Sequence, residues 1–136
     1  MTDAKKYLQQ IERLEAQIEI KLEDKTRLEE MVLKTTSAPE EIPFSSGSKQ
    51  DKFGDIMAKI ADVDAEIDRL VDRRADIVST IESVENTSQM KVLYMHYAQL
   101  KPLRQIASEM GMGYRQACNI HKAGLQTVDE IIRKIV

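Results

Sequence analysis

Residues 103–125 read LRQIASEMGMGYRQACNIHKAGL, a pattern that predicts two helices joined by a short turn. In the first helix, apolar residues spaced three and four apart share one face: Leu103, Ile106, Ala107 and Met110. Gly111 follows, where a helix end favours a residue that tolerates positive φ. In the second helix the corresponding face holds Ala117, Ile120, Gly124 and Leu125. Small residues on both faces allow a close crossing, which is typical of a helix-turn-helix whose second helix enters the major groove of DNA.

The opposite face of the second helix is polar. Arg115 suits guanine and Asn119 suits adenine in the major groove, whereas Lys122 suits a phosphate oxygen. The predicted DNA-contacting residues are Tyr114, Arg115, Gln116, Cys118, Asn119, Lys122, Arg104 and Lys101. The alternative is an ordinary pair of packed helices with a solvated polar face. The short turn, the alanine crossing and the absence of acidic residues from 114 to 125 favour DNA binding.

The distribution of charge agrees with that interpretation. Residues 87–136 carry seven basic and three acidic side chains, which gives +4, whereas residues 53–86 carry four and nine, which gives −5. Positive charge therefore lies in the segment predicted to bind DNA. Charged residues make up 32% of the chain and aromatic residues only 4%. Because good helix formers dominate and Pro and Gly are few, we expect an all-α fold.

The segments next to this stretch are also predicted to be helical. Asn86, Thr87 and Ser88 are good N-caps and indicate a break before the C-terminal domain. The next helix carries Met90, Leu93, Tyr94, Tyr97 and Leu100 on one side. Pro102 is expected in the first turn of the following helix. Apolar residues continue after Leu125, so the last helix is predicted to extend nearly to Val136.

Residues 53–85 have the most regular pattern in the chain. Positions in alternating steps of three and four are apolar in nine of ten cases, which is typical of a coiled coil. The predicted oligomerisation residues are Phe53, Ile56, Ile60, Val63, Ile67, Leu70, Arg74, Ile77 and Ile81. Arg74 is the exception, and it either fixes register and partner or extends to the edge of the seam. Met57, Val71 and Val78 widen the seam, so this helix is expected to touch more than one partner.

Residues 4–34 are predicted to form another long helix. Lys21 and Lys25 interrupt its apolar stripe, which is therefore expected to drift toward Leu22. Residues 35–52 contain two prolines, a glycine and several serines, and they are predicted to be a loop, with Ile42 and Phe44 packed on a neighbouring helix. The sequence thus predicts an antiparallel helical hairpin over 1–85 and a helix-turn-helix domain over 86–136. A hairpin alone buries little area, so pairing with a second copy, as a dimer or higher oligomer, is expected.

The segment 90–128 resembles region four of sigma-seventy-type factors, a domain that reads a promoter element. That family has an EIA-like triplet, an LG-V turn, a recognition helix and a closing AL. The corresponding residues here are Gln105-Ile106-Ala107, Met110-Gly111-Met112, the helix 114–122 and Gly124-Leu125. Gly113 takes the place of the usual Ser or Thr cap, and Cys118 stands where the family often has Arg. No region-two sequence precedes the segment, so a complete sigma factor is not expected.

Together with the N-terminal helices, this C-terminal pattern resembles small phage regulators of the ArpU and RinA type. The resemblance implies a transcription regulator of phage or prophage origin that acts on late or mobile-element genes. It implies double-stranded DNA and host RNA polymerase as partners, in the cytoplasm of a bacterial host. It also implies that His121 is a regular part of the recognition helix.

Other functions find little support in the sequence. His96 and His121 have no second ligand at i+4, and the single Cys118 cannot build a structural zinc site, so no metal is expected. No triad, P-loop or glycine-rich phosphate loop is present, so neither an enzyme nor a cofactor is predicted. No long apolar run or signal-peptide pattern occurs, which argues against a membrane partner or export.

Two alternatives to a transcription regulator remain. A small terminase subunit also joins a helix-turn-helix to coiled-coil helices, but it acts in DNA packaging and forms rings. A coiled-coil interaction scaffold would make no DNA contact. The mass in solution separates the regulator from the terminase subunit. A dimer or tetramer favours the regulator, and a ring of roughly eight to twelve subunits favours the terminase.

Overall fold

The computed structural model describes residues 3–37 and 46–135, with side chains described at 3–35 and 52–135. These residues form five α-helices and one π-helical turn: α1 (Asp3–Ser37), α2 (Ser46–Glu82), α3 (Thr87–Leu93), the π turn (Tyr94–Ala98), α4 (Leu103–Met110) and α5 (Tyr114–Ile135). No strand occurs among them, so the predicted all-α class is confirmed. In the same ranges, no helix has both the length and the apolar composition that a membrane span requires.

The predicted loop over 35–52 is too long at both ends. α1 continues through Ser37 and α2 begins at Ser46, so helix replaces loop over 35–37 and 46–52. The physical reason is the position of the prolines, because both Pro39 and Pro43 fall between the two helices. Ile42 and Phe44 lie outside the described residues.

The chain divides into two compact units, one built from 16–71 and the other from 1–15 together with 72–136. This division does not fall at residue 85, the boundary predicted between the hairpin and the C-terminal domain. The beginning of α1, up to Glu15, and the end of α2, from Asp72, therefore belong to the same unit as α3, the π turn, α4 and α5.

In the unit 16–71, two ion pairs join α1 to α2. Lys21 Nζ lies 3.1 Å from Glu66 Oε2, and Lys25 Nζ lies 2.8 Å from Asp64 Oδ1. The later residue of α1, Lys25, pairs with the earlier residue of α2, Asp64. The two helices are therefore antiparallel here. The hydrogen bond with Asp64 raises the pKa of Lys25.

The predicted drift of the α1 stripe toward Leu22 is wrong. Leu22 is 47% exposed, whereas Lys21 and Lys25 both reach across to acidic residues of α2. A lysine side chain can pack its apolar stem along a neighbouring helix while its ammonium group meets a carboxylate. The two lysines therefore continue the stripe.

The predicted oligomerisation residues differ widely in exposure. In the unit 16–71, Phe53 is exposed and Ile56 is buried, and the half-buried residues are Ile60, Val63, Ile67 and Leu70. In the other unit, Ile77 and Ile81 are buried in its core.

Arg74, the charged exception, has a partner within the chain. Its Nη2 and Nε atoms lie 2.7 Å and 2.8 Å from Glu15 Oε2 on α1. The two side chains are 30% and 34% exposed, so water still reaches the pair. Arg74 thus connects α1 to α2.

The core of the unit built from the chain ends contains side chains from every helix. The buried residues are Ala4, Leu8, Ile11, Leu14, Ile77, Ile81, Val84, Val92, Leu93, Tyr97, Ala98, Ile106, Ala107, Ala117, Leu125 and Val128. At the start of α1, the Ala4 backbone N–H donates to Asp129 Oδ1 of α5 at 2.8 Å. The first N–H groups of a helix lack partners within it, so an aspartate from another helix satisfies one of them.

Candidate nucleic-acid interface

The turn between α4 and α5 depends on Gly111, which has φ 68° and ψ 38°. This left-handed conformation is where a glycine was predicted to end the helix, and that prediction is confirmed. The Met112 N–H then donates to the Ala107 carbonyl at 2.9 Å, so a carbonyl at the end of α4 is satisfied. The Ala117 N–H donates to the Gly113 carbonyl at 3.1 Å, which places Gly113 at the N-cap of α5.

The inner face of α5 packs closely on its neighbours. Ala107 on α4 and Ala117 on α5 are both buried, as a close crossing of the two helices requires. Gly124 is tighter still, because a Cβ atom there would lie 3.1 Å from Leu93 Cδ1 of α3. Val128 is fully buried one turn later. These contacts fix which face of α5 points outward.

The outer face of α5 is formed by Tyr114, Arg115, Gln116, Asn119 and Lys122, all of which are exposed. Its first two turns contain no acidic residue, since the first acid of α5 is Asp129. A helix of this kind offers two amides and two cations to solvent without a neighbouring carboxylate of its own. Such a surface matches polyanion binding.

Tyr114, at the start of α5, interacts with Arg104 and with Cys118. The guanidinium carbon of Arg104 lies 4.2 Å from the centre of the Tyr114 ring, a cation–π contact that links α4 to α5. A hydrogen bond with the Cys118 thiol raises the pKa of the Tyr114 phenol. Cys118 is half-buried. The Cys118 side chain is therefore less accessible to DNA than the neighbouring predicted contacts Gln116 and Asn119, which are exposed.

Lys101, another predicted DNA contact, forms an ion pair with Glu109 of α4. Its Nζ lies 2.8 Å from Glu109 Oε1, and Gln105 Nε2 donates to Glu109 Oε2 at 2.7 Å. The bonds from Lys101 and Gln105 lower the pKa of the Glu109 carboxyl. Lys101 must therefore leave Glu109 before it can pair fully with a phosphate.

His121 lies on the inner side of α5, in a polar cluster that the sequence did not predict. Its Nε2 atom lies 2.8 Å from the Tyr97 hydroxyl, and its ring centre is 5.0 Å from that of His96. The His96 ring lies next to the Lys101 carbonyl, to which Nδ1–H donates at 2.8 Å. Burial lowers the pKa of His121 to about 4, and burial raises that of Tyr97 to about 12. His121 is thus a packing residue beneath the outer face.

The π turn brings this cluster together. It covers Tyr94–Ala98 and widens the helix by one residue, with Tyr97 buried and His96 beside it. Leu100 then has φ 58°, in the left-handed region, between the π turn and α4. No local sequence pattern marks such a turn, although the aromatic and histidine residues of 94–97 hint at an interior polar contact. Within 3–37 and 46–135, no group of three or more His, Cys, Asp or Glu residues could hold a metal.

Comparison with known proteins finds no match, whether to a family model, a curated protein or a solved structure. The resemblance to sigma region four therefore rests on the residues of 90–128 alone.

Proposed function

We propose that the chain is a sequence-specific DNA-binding transcription regulator of phage or prophage origin, with residues 86–136 as a helix-turn-helix domain. The observation that carries the proposal is the outer face of α5, which is exposed, basic and free of acids over 114–122. The tight turn at Gly111 and the buried contact of α4 with α5 support the motif. In that motif the second helix lies in the major groove.

The positions along α5 suggest a division of labour. Arg115 and Asn119 are four residues apart, or ~6 Å along the axis, so they share a face and can reach neighbouring bases. Lys122 lies ~10 Å from Arg115 along the axis, where a helix leaving the groove meets backbone phosphates. Arg104, stacked on Tyr114, offers a second cation to the backbone.

The remaining partners follow from the same proposal. The ion pairs between α1 and α2 support an N-terminal antiparallel hairpin. We expect a homo-oligomer that acts in the cytoplasm of a bacterial host, with double-stranded DNA and host RNA polymerase as partners. No cofactor is required for this function.

A binding experiment tests the proposal. Selection from a random duplex pool first gives the preferred site, and salt titrations then compare that site with a scrambled duplex. Arg115→Ala and Asn119→Ala should each cost ~1–3 kcal/mol on the preferred site and little on the scrambled one. Lys122→Ala should weaken both, and it should reduce the salt slope by about one.

Lys134→Ala is the matched control, because it removes the same charge from an exposed position at the far end of α5. It should leave both affinities and the salt slope unchanged. Equal losses on both duplexes for Arg115→Ala and Asn119→Ala would exclude them as base readers. If the unmodified protein binds no duplex, the DNA proposal fails and an interaction scaffold becomes the better interpretation.

A further inference from the structure

A carboxylate held by two donors lies on the exposed side of α4. Lys101 Nζ donates to Glu109 Oε1 at 2.8 Å, and Gln105 Nε2 donates to Glu109 Oε2 at 2.7 Å. The Lys101 and Glu109 side chains are 27% and 38% exposed, so solvent reaches the group. The two donors thus bind different oxygens of one accessible anion.

The fold orders the backbone of both donors. The Lys101 N–H donates to the Met95 carbonyl at 3.0 Å, and the Lys101 carbonyl accepts from His96 Nδ1 at 2.8 Å. Gln105 lies in the first turn of α4. Because folding already fixes these positions, an external anion would meet a prepared pair of donors, and the entropy cost of binding would be lower.

We propose that Lys101 and Gln105 bind one phosphate of the DNA backbone, and that Glu109 occupies this site in the DNA-free protein. A phosphodiester has two unesterified oxygens, so it can accept from both donors as the carboxylate does. The site lies next to Arg104, whose guanidinium stacks on Tyr114 at the start of α5. In a helix-turn-helix the first helix crosses the DNA backbone, which is where a phosphate site on α4 would act.

Glu109 is a weak competitor for this site because its ion pair with Lys101 is exposed. An exposed pair changes an equilibrium by a factor of about five at most. A lysine that meets a DNA phosphate, in contrast, also releases condensed counterions. Glu109 should therefore lower the affinity for every duplex without changing the preferred sequence. The inference rests on the proposed function, to which it adds Gln105 as a contact and Glu109 as a residue that weakens binding.

A double-mutant cycle tests the competition. Glu109→Gln, which removes the charge and keeps the shape, should bind the preferred and the scrambled duplex ~3- to 5-fold more tightly. In a Lys101→Ala background it should change the affinity by less than ~2-fold, because the cation for which Glu109 competes is gone. Gln105→Leu should weaken both duplexes alike, by ~2- to 5-fold.

Glu130→Gln is the matched control, because it removes the same charge from an exposed residue of α5, ~24 Å along the axis from Tyr114. It should change neither affinity by more than ~2-fold. An equal gain from Glu109→Gln with and without Lys101 would overturn the proposal, since the carboxylate would then only repel DNA at a distance. A loss of affinity would also overturn it, because Glu109 would then hold Lys101 in place for DNA.

Inorganic phosphate tests the site without DNA. Titration at constant ionic strength is followed through the NMR signals of the Gln105 side-chain amide. Phosphate should shift these signals in the Glu109→Gln protein, and the shift should be lost when Lys101→Ala is added. If the shift occurs but no duplex is bound, the DNA function fails and the anion site stands. If duplexes are bound but phosphate gives no shift, the site fails and the DNA function stands.

Discussion

Acidification should destabilise the unit built from 1–15 and 72–136 through His121. In the folded protein the pKa of this histidine falls from 6.5 to about 4, chiefly because of burial and to a smaller extent because His96 and Lys5 are near. In the unfolded chain it regains its ordinary value. Between about pH 6.5 and about pH 4 the unfolded state therefore binds more protons than the folded state. The stabilisation is complete above this window and is lost as the pH falls through it.

The size of the effect follows from the two pKa values. The difference between 6.5 and about 4 corresponds to ~3 kcal/mol at full strength. His121 is only half-buried, so solvent screening reduces the expected contribution to ~1–2 kcal/mol. The hydrogen bond with Tyr97 does not prevent the loss, because a hydroxyl can accept from a protonated ring as well as donate to a neutral one. The cost comes from placing a cation in a partly buried site beside other basic groups.

Urea denaturation between about pH 7 and about pH 4 measures this contribution. His121→Gln is the comparison, because its amide can still bond to Tyr97 but does not titrate in this range. The unmodified protein should lose ~1–2 kcal/mol more than the variant across the window. Carboxylates such as Glu109 titrate in both proteins, so their effects cancel in the difference. Equal losses in the two proteins would refute the reasoning and would show that His121 is accessible to protons without cost.

Three local features give further expectations, each measured as a free energy of unfolding. Gly111→Ala should lower the stability by ~1–2 kcal/mol because of the positive φ of Gly111, whereas Gly113→Ser should raise it by roughly a few tenths of a kcal/mol by adding a side-chain cap to α5. If both substitutions changed the stability by the same amount and in the same direction, the conformation of the turn between α4 and α5 would be contradicted. A double-mutant cycle of Arg74→Ala and Glu15→Ala should show a coupling of ~0.5–1 kcal/mol, and zero coupling would remove the pair as a stabilising contact. Asn86→Ala should cost ~1 kcal/mol through the lost cap, and no change would mean that water replaces it.

Features set by neighbouring residues could be predicted from the sequence. Asn86 caps α3 as expected, with its Oδ1 accepting from the Gln89 N–H at 3.0 Å. Gly111 ends α4 in the left-handed conformation, and α5 continues to Ile135. Each of these depends on the chemistry of one residue within a turn or on an unbroken apolar period. Pro102 differs slightly, since it lies just before α4 as its N-cap.

Features that join distant parts of the chain could not be predicted in this way. The Ala4–Asp129 bond spans 125 residues, and the Tyr97–His121 bond spans 24. Neither leaves a periodic signal, because a single polar contact fixes one pair and not a row of residues. The π turn over Tyr94–Ala98 also could not be predicted, since its extra residue per turn does not change the composition of the segment.

The charged residues of the long helices show how part of that gap could be closed. Lys21, Lys25 and Arg74 each interrupt an apolar stripe, and each meets an acidic residue of the other long helix. A charge in a seam costs stability unless an opposite charge lies across from it, so its presence predicts a partner on the facing helix. Because each such pair fixes which residues stand opposite one another, the pairs also specify register. Matching the three charges against the acids of the facing helix would therefore have added the register to the predicted antiparallel pairing and kept the α1 stripe away from Leu22.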